Sequence, residues 1–427
     1  MGAVARGAYG STGRLLVDGT TASLLLGVCI AYQVAASSFM LSDPELDFTG
    51  TALGEALGGN AGALFFPLAA LCLFSDLASL SKFSAMGLVA IAFSFVVIVY
   101  HGLSLNGTSG FTTSTFSEAR GGTLTLLPPS FSTFAVYYGT ASFCFGITPV
   151  TFSMKSSMKD PTKMAAANRL ALLCTYTFYA IVGTFVILLY SPPNAPALKG
   201  DILAALPPGS PLTLAVRASM IVVCVVSYPL CLVPCADIIT AALLDAPLLS
   251  LLRPSPLRFF LRLTLVTTTT LVAAKIPSFV LVVSLIGCFC VGVVSFVFPP
   301  LFHRRLVGER VEREERGERE GGGRGREGGG SFVDAFVDGG GGAVGEGTGL
   351  LPKSLASPPP FSISAARRSM KVDALMVAVG VVSTFFTTAL TLRTIAAQWS
   401  DPNSGVGEDG GEALRGFGGQ EGGGGSG

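Results

Sequence analysis

The stretch Ser278–Leu301, SFVLVVSLIGCFCVGVVSFVFPPL, contains no charged side chain. A helix of about 20 apolar residues can cross the hydrocarbon core of a bilayer, because all its backbone N–H and C=O groups are paired within the segment. This stretch therefore predicts a membrane-spanning helix.

Eight further apolar runs of this kind occur along the chain. The composition agrees with that pattern, since 50% of the residues are hydrophobic, only 13% are charged and the mean hydropathy is +0.62. A soluble chain carries about 25% charged residues. The sequence thus predicts an all-α polytopic membrane protein with about nine helices. The predicted spans are Leu15–Leu41, Ala63–Leu80, Phe83–Leu105, Ser130–Ser153, Ala167–Tyr190, Leu212–Pro234, Phe259–Ala274, Ser278–Leu301 and Val372–Ala397.

The positions of the charges divide the chain into five parts. Residues 1–14 form a cytoplasmic N-terminal segment, residues 15–301 a membrane domain of eight helices, and residues 372–397 the last span. The loop 302–371 mixes arginine, glutamate and glycine, a composition that predicts a disordered cytoplasmic loop. It is either a regulatory or docking loop or a tolerated insertion. Residues 398–427 form a Gly-rich extracytoplasmic tail.

Lys and Arg residues concentrate in alternate loops, whereas the first loop of the other set is acidic, with Asp43, Glu45, Asp47 and Glu55. Short cytoplasmic loops hold the positive charge. The N-terminus is therefore predicted to be cytoplasmic. The membrane is either the plasma membrane or a vacuolar or lysosomal membrane.

No residue pattern typical of an enzyme or a metal site is present. We therefore expect no catalytic activity, no cofactor and no binding of nucleic acid. All nine cysteines fall inside apolar runs, as small core residues do. Ionisable residues within spans are candidates for function. Asp18 and Arg217 each lie about one turn inside a span, where both can reach an interface, so a structural role is favoured over coupling.

The span Ser130–Ser153, SFSTFAVYYGTASFCFGITPVTFS, is interrupted by Gly139, Gly146 and Pro149. Proline removes a helical hydrogen bond and glycine lowers helix stability, so the segment Ala141–Pro149 can unwind. Backbone unwound at membrane depth is tolerated where it lines a polar cavity, as in the broken helices of secondary transporters. An ordinary kinked helix is the alternative.

A second candidate is Ser227, which precedes Tyr228 and Pro229 in the sixth span. Proline frees a carbonyl one turn upstream, and a serine hydroxyl beside it is a plausible cation ligand. A helical serine more often bonds its own backbone.

Several segments resemble, in order, the amino acid/auxin permease family of the amino acid–polyamine–organocation superfamily. Tyr9–Val34 resembles the family's third helix, and Ser75–Gly87 resembles the joint between its fourth and fifth helices. The other matching segments are Ala141–Met164 with the turn Met158-Lys159-Asp160-Pro161, Asp201–Arg217, Ser227–Thr240 and Pro277–His303.

This resemblance implies a transporter bundle of two inverted five-helix repeats, each beginning with a broken helix. Because the first span matches the third family helix, the first two family helices are missing. We expect a segment before Met1 to supply them, and true absence is the alternative. The resemblance implies that the backbone at Phe143, Cys144, Phe145 and Gly146 meets the substrate. Thr148 and Tyr32 would shape the pocket, and Ser227 would help to hold a coupling ion.

The leading hypothesis is a secondary transporter of amino acids that works by alternating access and is coupled to H⁺ or Na⁺. Its partners would be the amino acid substrate and the lipid bilayer. The competing hypothesis is a non-transporting amino acid sensor or degenerate paralogue that acts through its cytoplasmic loop.

Overall fold

The structure is a computed structural model, and it describes residues 2–51, 54, 59–74, 84–105, 128, 130–146, 151, 158–190, 202–244, 254–276, 278–319 and 363–400. These residues contain helices and no β-strand. The α-helices are α1 Gly2–Leu41, α2 Asn60–Ala63, α3 Phe65–Phe74, α4 Ser84–Leu105, α5 Phe131–Cys144, α6 Met164–Tyr190, α7 Pro211–Leu244, α8 Pro254–Ala273, α9 Phe279–Ile286, α10 Phe298–Arg319 and α11 Ile363–Ser400. A π-helical segment, Gly287–Val297, joins α9 to α10 without a break.

Six helical stretches among the described residues are long and apolar enough to cross a membrane. They are Ala5–Leu41, Gly87–Ser104, Met164–Tyr190, Pro211–Leu243, Phe279–Arg316 and Ala366–Ala397. The chain is therefore a multi-pass membrane protein. The other three predicted spans coincide with the shorter stretch Asn60–Leu73 and with α5 and α8. The count of nine and the inverted repeat stay predictions.

The largest core contains residues of α1, α3, α4, α7 and α8, and in it α7 packs against the other four helices. Several polar side chains inside it are paired, because a buried polar group away from water is costly without a partner. The Tyr228 hydroxyl lies 2.7 Å from Thr269 Oγ1, and Gln33 Nε2 donates to Thr270 Oγ1 at 2.9 Å. The Tyr190 hydroxyl donates to the Ile98 carbonyl at 2.8 Å. These bonds fix the rotation of the helices around the site described below.

Helix α5 packs on α9 and the π-helical segment through backbone contact. A Cβ atom placed on Gly139 would overlap the Ser284 carbonyl, and one placed on Gly287 would overlap the Gly139 carbonyl. Only glycine permits so close an approach of two helices. Cys288 Sγ adds a bond to the Ala135 carbonyl at 3.4 Å. The position of α5 is thus set by residues of the predicted span Ser278–Leu301.

Two helices extend past the predicted bounds. Residues 2–14 form the start of α1, which begins at Gly2 and bends at Gly10, where φ is 68° and ψ is −152°. Glycine is the residue that adopts this backbone conformation at least cost. At the other end of the chain, α11 extends from Ile363 to Ser400, past both predicted ends of the last span. Residues 401–427 lie outside the described part.

The disorder predicted for 302–371 is wrong at both ends of that loop. Helix α10 continues to Arg319, with Leu306, Val307 and Val311 buried. Its charges are spaced for pairing within and between helices: Arg305 Nε lies 3.1 Å from Glu309 Oε1, and Arg367 Nη2 of α11 lies 2.7 Å from Glu315 Oε1. Composition alone misses this, because i,i+4 pairs and a thin apolar stripe can support a charged helix. The central part of the loop lies outside the described residues.

The turn before α6 is held by Asp160. Its Oδ1 accepts the Thr162 hydroxyl at 2.6 Å and the Thr162 N–H at 3.3 Å, and Oδ2 lies 3.2 Å from Lys163 Nζ. Hydrogen bonds from Thr162, then from Lys163, lower the pKa of the Asp160 carboxyl. A lowered pKa contributes stability above the ordinary carboxyl pKa, and this is lost as the pH falls through the folded value.

The matching test compares the wild type with Asp160→Asn by the temperature of thermal unfolding. We expect a constant difference above about pH 5, where the carboxyl is ionised in the folded and the unfolded chain. It should disappear on further acidification, because protonated Asp160 then resembles the amide. A difference that persists unchanged at low pH would contradict this role of the carboxylate.

Candidate functional site

A cavity of about 1050 Å³ lies between α1, α4, α6 and α7, and it is bordered by one residue each of α5 and α9. Its polar lining side chains are Tyr32, Ser94, Cys224 and Ser227, and the rest of the lining is apolar. None of the lining residues in the described part of the chain carries a charge. The volume lies just above the range of about 300–1,000 Å³ that is usual for small-molecule sites.

Three of the seven predicted site residues meet in this cavity. Tyr32 of α1, Ser227 of α7 and Phe143 of α5 all line this space. Helices that are distant in sequence thus bring together two hydroxyl groups and an aromatic ring. That arrangement is a mainly apolar pocket with a few polar groups to orient a ligand.

The other four predicted residues do not line the cavity or cannot be placed. Cys144 and Phe145 lie at the end of α5 and are exposed. Gly146 follows them beside Val291, whose Cγ1 atom would lie 3.1 Å from an added Cβ atom. Thr148 lies outside the described residues.

The predicted interruption of the span Ser130–Ser153 is confirmed at its start, since α5 ends at Cys144. Phe145 leaves the helix with φ −103° and ψ 11°. Its N–H donates to the Ala141 carbonyl at 3.2 Å, and the Gly146 N–H donates to the Phe143 carbonyl at 3.1 Å. The C-terminal end of a helix carries a partial negative charge from its remaining carbonyl groups. Here that end lies beside the cavity, next to Phe143.

Helix α7 continues through Pro229 and Pro234, well past the predicted end of the sixth span. Proline has no N–H, so Pro234 cannot donate to the carbonyl of Leu230 one turn earlier. Leu230 lines the cavity, as Ser227 does. The neighbouring Tyr228 points away from it, toward Thr269 of α8. This wall of the cavity therefore combines a hydroxyl group with a residue whose carbonyl lacks its usual helical donor.

The two charged residues singled out inside spans lie outside the cavity lining. Asp18 Oδ2 is 3.2 Å from Arg14 Nε, one turn earlier on α1. Arg217 does not reach a surface: its side chain is 1% exposed and lies 3.0 Å from Asp43 Oδ2. Within the described residues, no group of three or more His, Cys, Asp or Glu side chains is placed to hold a metal ion.

Sequence reasoning missed the contribution of α4. Ser94 is buried and lines the cavity, although its hydroxyl also donates to the Ala90 carbonyl at 2.8 Å. Gly87, about two turns before Ser94 on α4, also lines the cavity, and a Cβ atom there would lie 3.7 Å from Val223 Cγ1. The available signal was a single hydroxyl residue in the middle of the apolar run Phe83–Leu105. Nothing in the sequence indicates which helix that residue faces.

The sequence of the chain matches known proteins. Residues 2–317 match the family described as transmembrane amino acid transporter protein. Solute carrier family 38 member 10 of Homo sapiens is 25% identical over 315 residues, which cover 70% of this chain and 26% of that protein. The Mus musculus protein of the same name is 25% identical over 311 residues, covering 70% of this chain and 27% of its own length.

The chain thus matches only about a quarter of the length of these curated relatives. No solved structure matches it. The family match nevertheless extends from α1 into α10 and includes every helix that borders the cavity. The chain belongs to the transmembrane amino acid transporter protein family.

Proposed function

We propose that this chain moves neutral amino acids across a membrane as a secondary transporter that works by alternating access. The observation that carries the proposal is the cavity beside the end of the interrupted helix α5. Family membership supports a transporter in general, and the cavity supplies the features that a substrate site needs. Those features are a mainly apolar wall and a few polar groups that can fix the orientation of a ligand.

The α-ammonium group of the substrate would bind at the C-terminal end of α5. That end bears partial negative charge, and Phe143 places it at the cavity wall. The hydroxyl groups of Tyr32 and Ser227 would orient the substrate from the facing helices. Thr148, which follows the end of α5 in sequence, stays a candidate for the same pocket.

The substrate side chain would be uncharged. The described residues of the lining present no charged partner, and an unpaired charge in an apolar cavity is strongly disfavoured. An apolar side chain would instead gain about 25 cal/mol per Å² of surface buried. Large neutral amino acids therefore fit this cavity better than acidic or basic ones.

Uptake would be coupled to H⁺ or Na⁺. Ser227 and the Leu230 carbonyl offer oxygen ligands to Na⁺ on the α7 wall, whereas no lining residue that the structure describes has a carboxylate to accept a proton. The proposed orientation keeps the N-terminus in the cytoplasm, and the proposed membrane is the plasma membrane or a vacuolar or lysosomal membrane.

The direct experiment measures uptake of radiolabelled amino acids by proteoliposomes that contain the full chain. We expect neutral amino acids with large side chains to accumulate above the level in empty liposomes, and acidic and basic ones to remain at that level. Replacing Na⁺ with choline at constant pH, and separately imposing a pH gradient, identifies the coupling ion. Uptake equal to that of empty liposomes across all three classes would overturn the proposal.

The competing function is that of an amino acid sensor. It is favoured by the helical extension of α10 and α11, where His303 Nδ1 lies 2.7 Å from Asp373 Oδ2 and Glu315 pairs with Arg367. These pairs join two helices on either side of a long charged loop, as a signalling element would require. Binding of an amino acid to the purified chain without any uptake would favour the sensor.

A further inference from the structure

At one end of the cavity, three segments meet on the guanidinium group of Arg217 in α7. Nη1 donates to the Ser42 carbonyl at 2.7 Å and to Asp43 Oδ2 at 3.0 Å. Nη2 donates to the carbonyls of Leu203 and Leu206 at 2.9 Å and 3.1 Å. One side chain thus ties the segment after α1 and the turn before α7 to α7 itself.

The same segments form the cavity wall. Ile202 and Leu203 line the cavity with their side chains, so Leu203 takes part in both structures. Met220 lines it from α7, three residues after Arg217, and Phe39 lines it from α1, three residues before Ser42. Residues three apart on a helix lie about one turn from each other on the same face. The Arg217–Asp43 pair therefore lies immediately beyond this end of the cavity.

Burying the Arg217–Asp43 pair costs desolvation free energy. Both side chains are 1% exposed, and moving two charges out of water costs free energy that an apolar contact would not. In addition, Arg217 Nε is buried without a hydrogen-bond partner. Opening this end of the cavity to water would hydrate the Nε group and the pair, which partly offsets the bonds that are lost.

The contacts are also suited to a two-state change. A planar guanidinium binds several acceptors in one fixed geometry. If the turn bearing Leu203 moves away, both carbonyl bonds on Nη2 are lost together. We propose that Arg217 and Asp43 form a latch that closes this end of the cavity by holding segment 202–206 over it. The use of the latch in transport rests on the proposed function, whereas the closure itself is a property of the ligand-free chain.

Two native cysteines report on the latch. Cys224 lines the cavity and is 6% exposed, and Cys290 of the π-helical segment is also 6% exposed but does not line the cavity. The full chain, purified in detergent, is treated with N-ethylmaleimide, and modification of each cysteine is followed by mass spectrometry. Opening of the latch raises the rate at Cys224 alone. Global loosening raises the rate at both cysteines.

We expect Asp43→Asn and Arg217→Lys to raise the Cys224 rate about tenfold or more, since each removes charge or contacts from a buried pair. The Cys290 rate should stay unchanged. Arg262→Lys is the control, because Arg262 is a partly buried arginine that also donates to a carbonyl. Its acceptor is the Cys72 carbonyl at 3.2 Å, and neither residue lines the cavity. It should leave the Cys224 rate as in the wild type.

An unchanged Cys224 rate in the folded variants, or equal rises at Cys224 and Cys290, would overturn the latch and leave the pair as a structural contact. Arg217→Lys keeps the positive charge opposite Asp43, so it serves if Asp43→Asn does not fold.

Hydrogen exchange of the wild-type protein tests the latch without any substitution. The amide of Leu206, which bonds the Leu203 carbonyl at 3.4 Å, should exchange its hydrogen with the same opening constant that governs Cys224 modification. Two different constants would also overturn the proposal. Because no substrate is used, a failure of amino acid uptake would not change these results.

Discussion

Gly287→Ala is expected to lower the thermal unfolding temperature of this protein markedly and to abolish uptake. The added methyl group overlaps the Gly139 carbonyl and lies 3.0 Å from the Phe143 backbone nitrogen. Both neighbours are backbone atoms, so no side-chain rotation relieves the overlap, and α5 must move. Overpacking by side chains costs about 1–3 kcal/mol, and we expect the upper end of this range or more. Displacing α5 also displaces the helix end that borders the cavity.

The effect is diagnostic because helix propensity acts in the opposite direction. Alanine is more favourable than glycine in a helix by about 1 kcal/mol, so a methyl group in open space should stabilise. Gly19→Ala provides that control, since nothing lies within 4 Å of a Cβ atom at Gly19 of α1. Differential scanning calorimetry of the purified variants compares the two. A Gly287→Ala protein that unfolds at or above the wild-type temperature would refute the close contact of α5 with the π-helical segment.

The membrane class and the interruption of α5 could be predicted because both are local properties of the chain. Lengths of apolar runs decide the first, and the glycine and proline residues between Gly139 and Pro149 decide the second. The partner of Gly139 could not be predicted. Gly287 is 148 positions away, and a single sequence carries no signal that pairs the two glycines.

The charged residues show the same limit. An arginine inside a span requires a partner, and Asp43 belonged to the acidic loop already noted. The sequence nevertheless left Arg217 free to reach an interface, because its burial depends on the turn bearing Leu203 and Leu206. The helical extension of α10 was not predicted for another reason. Overall composition predicts disorder, whereas the spacing of Arg305 and Glu309 and the burial of Leu306 depend on order within that composition.

Three residues that line the cavity, Tyr32, Phe143 and Ser227, were predicted as site residues. Those predictions came from the family resemblance and from the interruption of the span Ser130–Ser153. The wall that α4 contributes was not predicted. A substitution on this wall is expected to have a large effect on uptake. Gly87 lies on that wall, and a Cβ atom there would meet only Val223 Cγ1 at 3.7 Å, an ordinary contact. A larger side chain at Gly87 can therefore extend into the cavity without disturbing the backbone.

Gly87→Leu is accordingly expected to fold at least as well as the wild type. It should reduce uptake of large neutral amino acids about tenfold or more, because the leucine side chain occupies the volume in which the substrate would bind. Gly183→Leu makes the same change on α6, outside the cavity lining and with nothing within 4 Å of the added Cβ atom. It should leave uptake intact. Parallel thermal unfolding separates a blocked cavity from a damaged fold. A stable Gly87→Leu protein with wild-type uptake would mean that the substrate does not pass through this cavity.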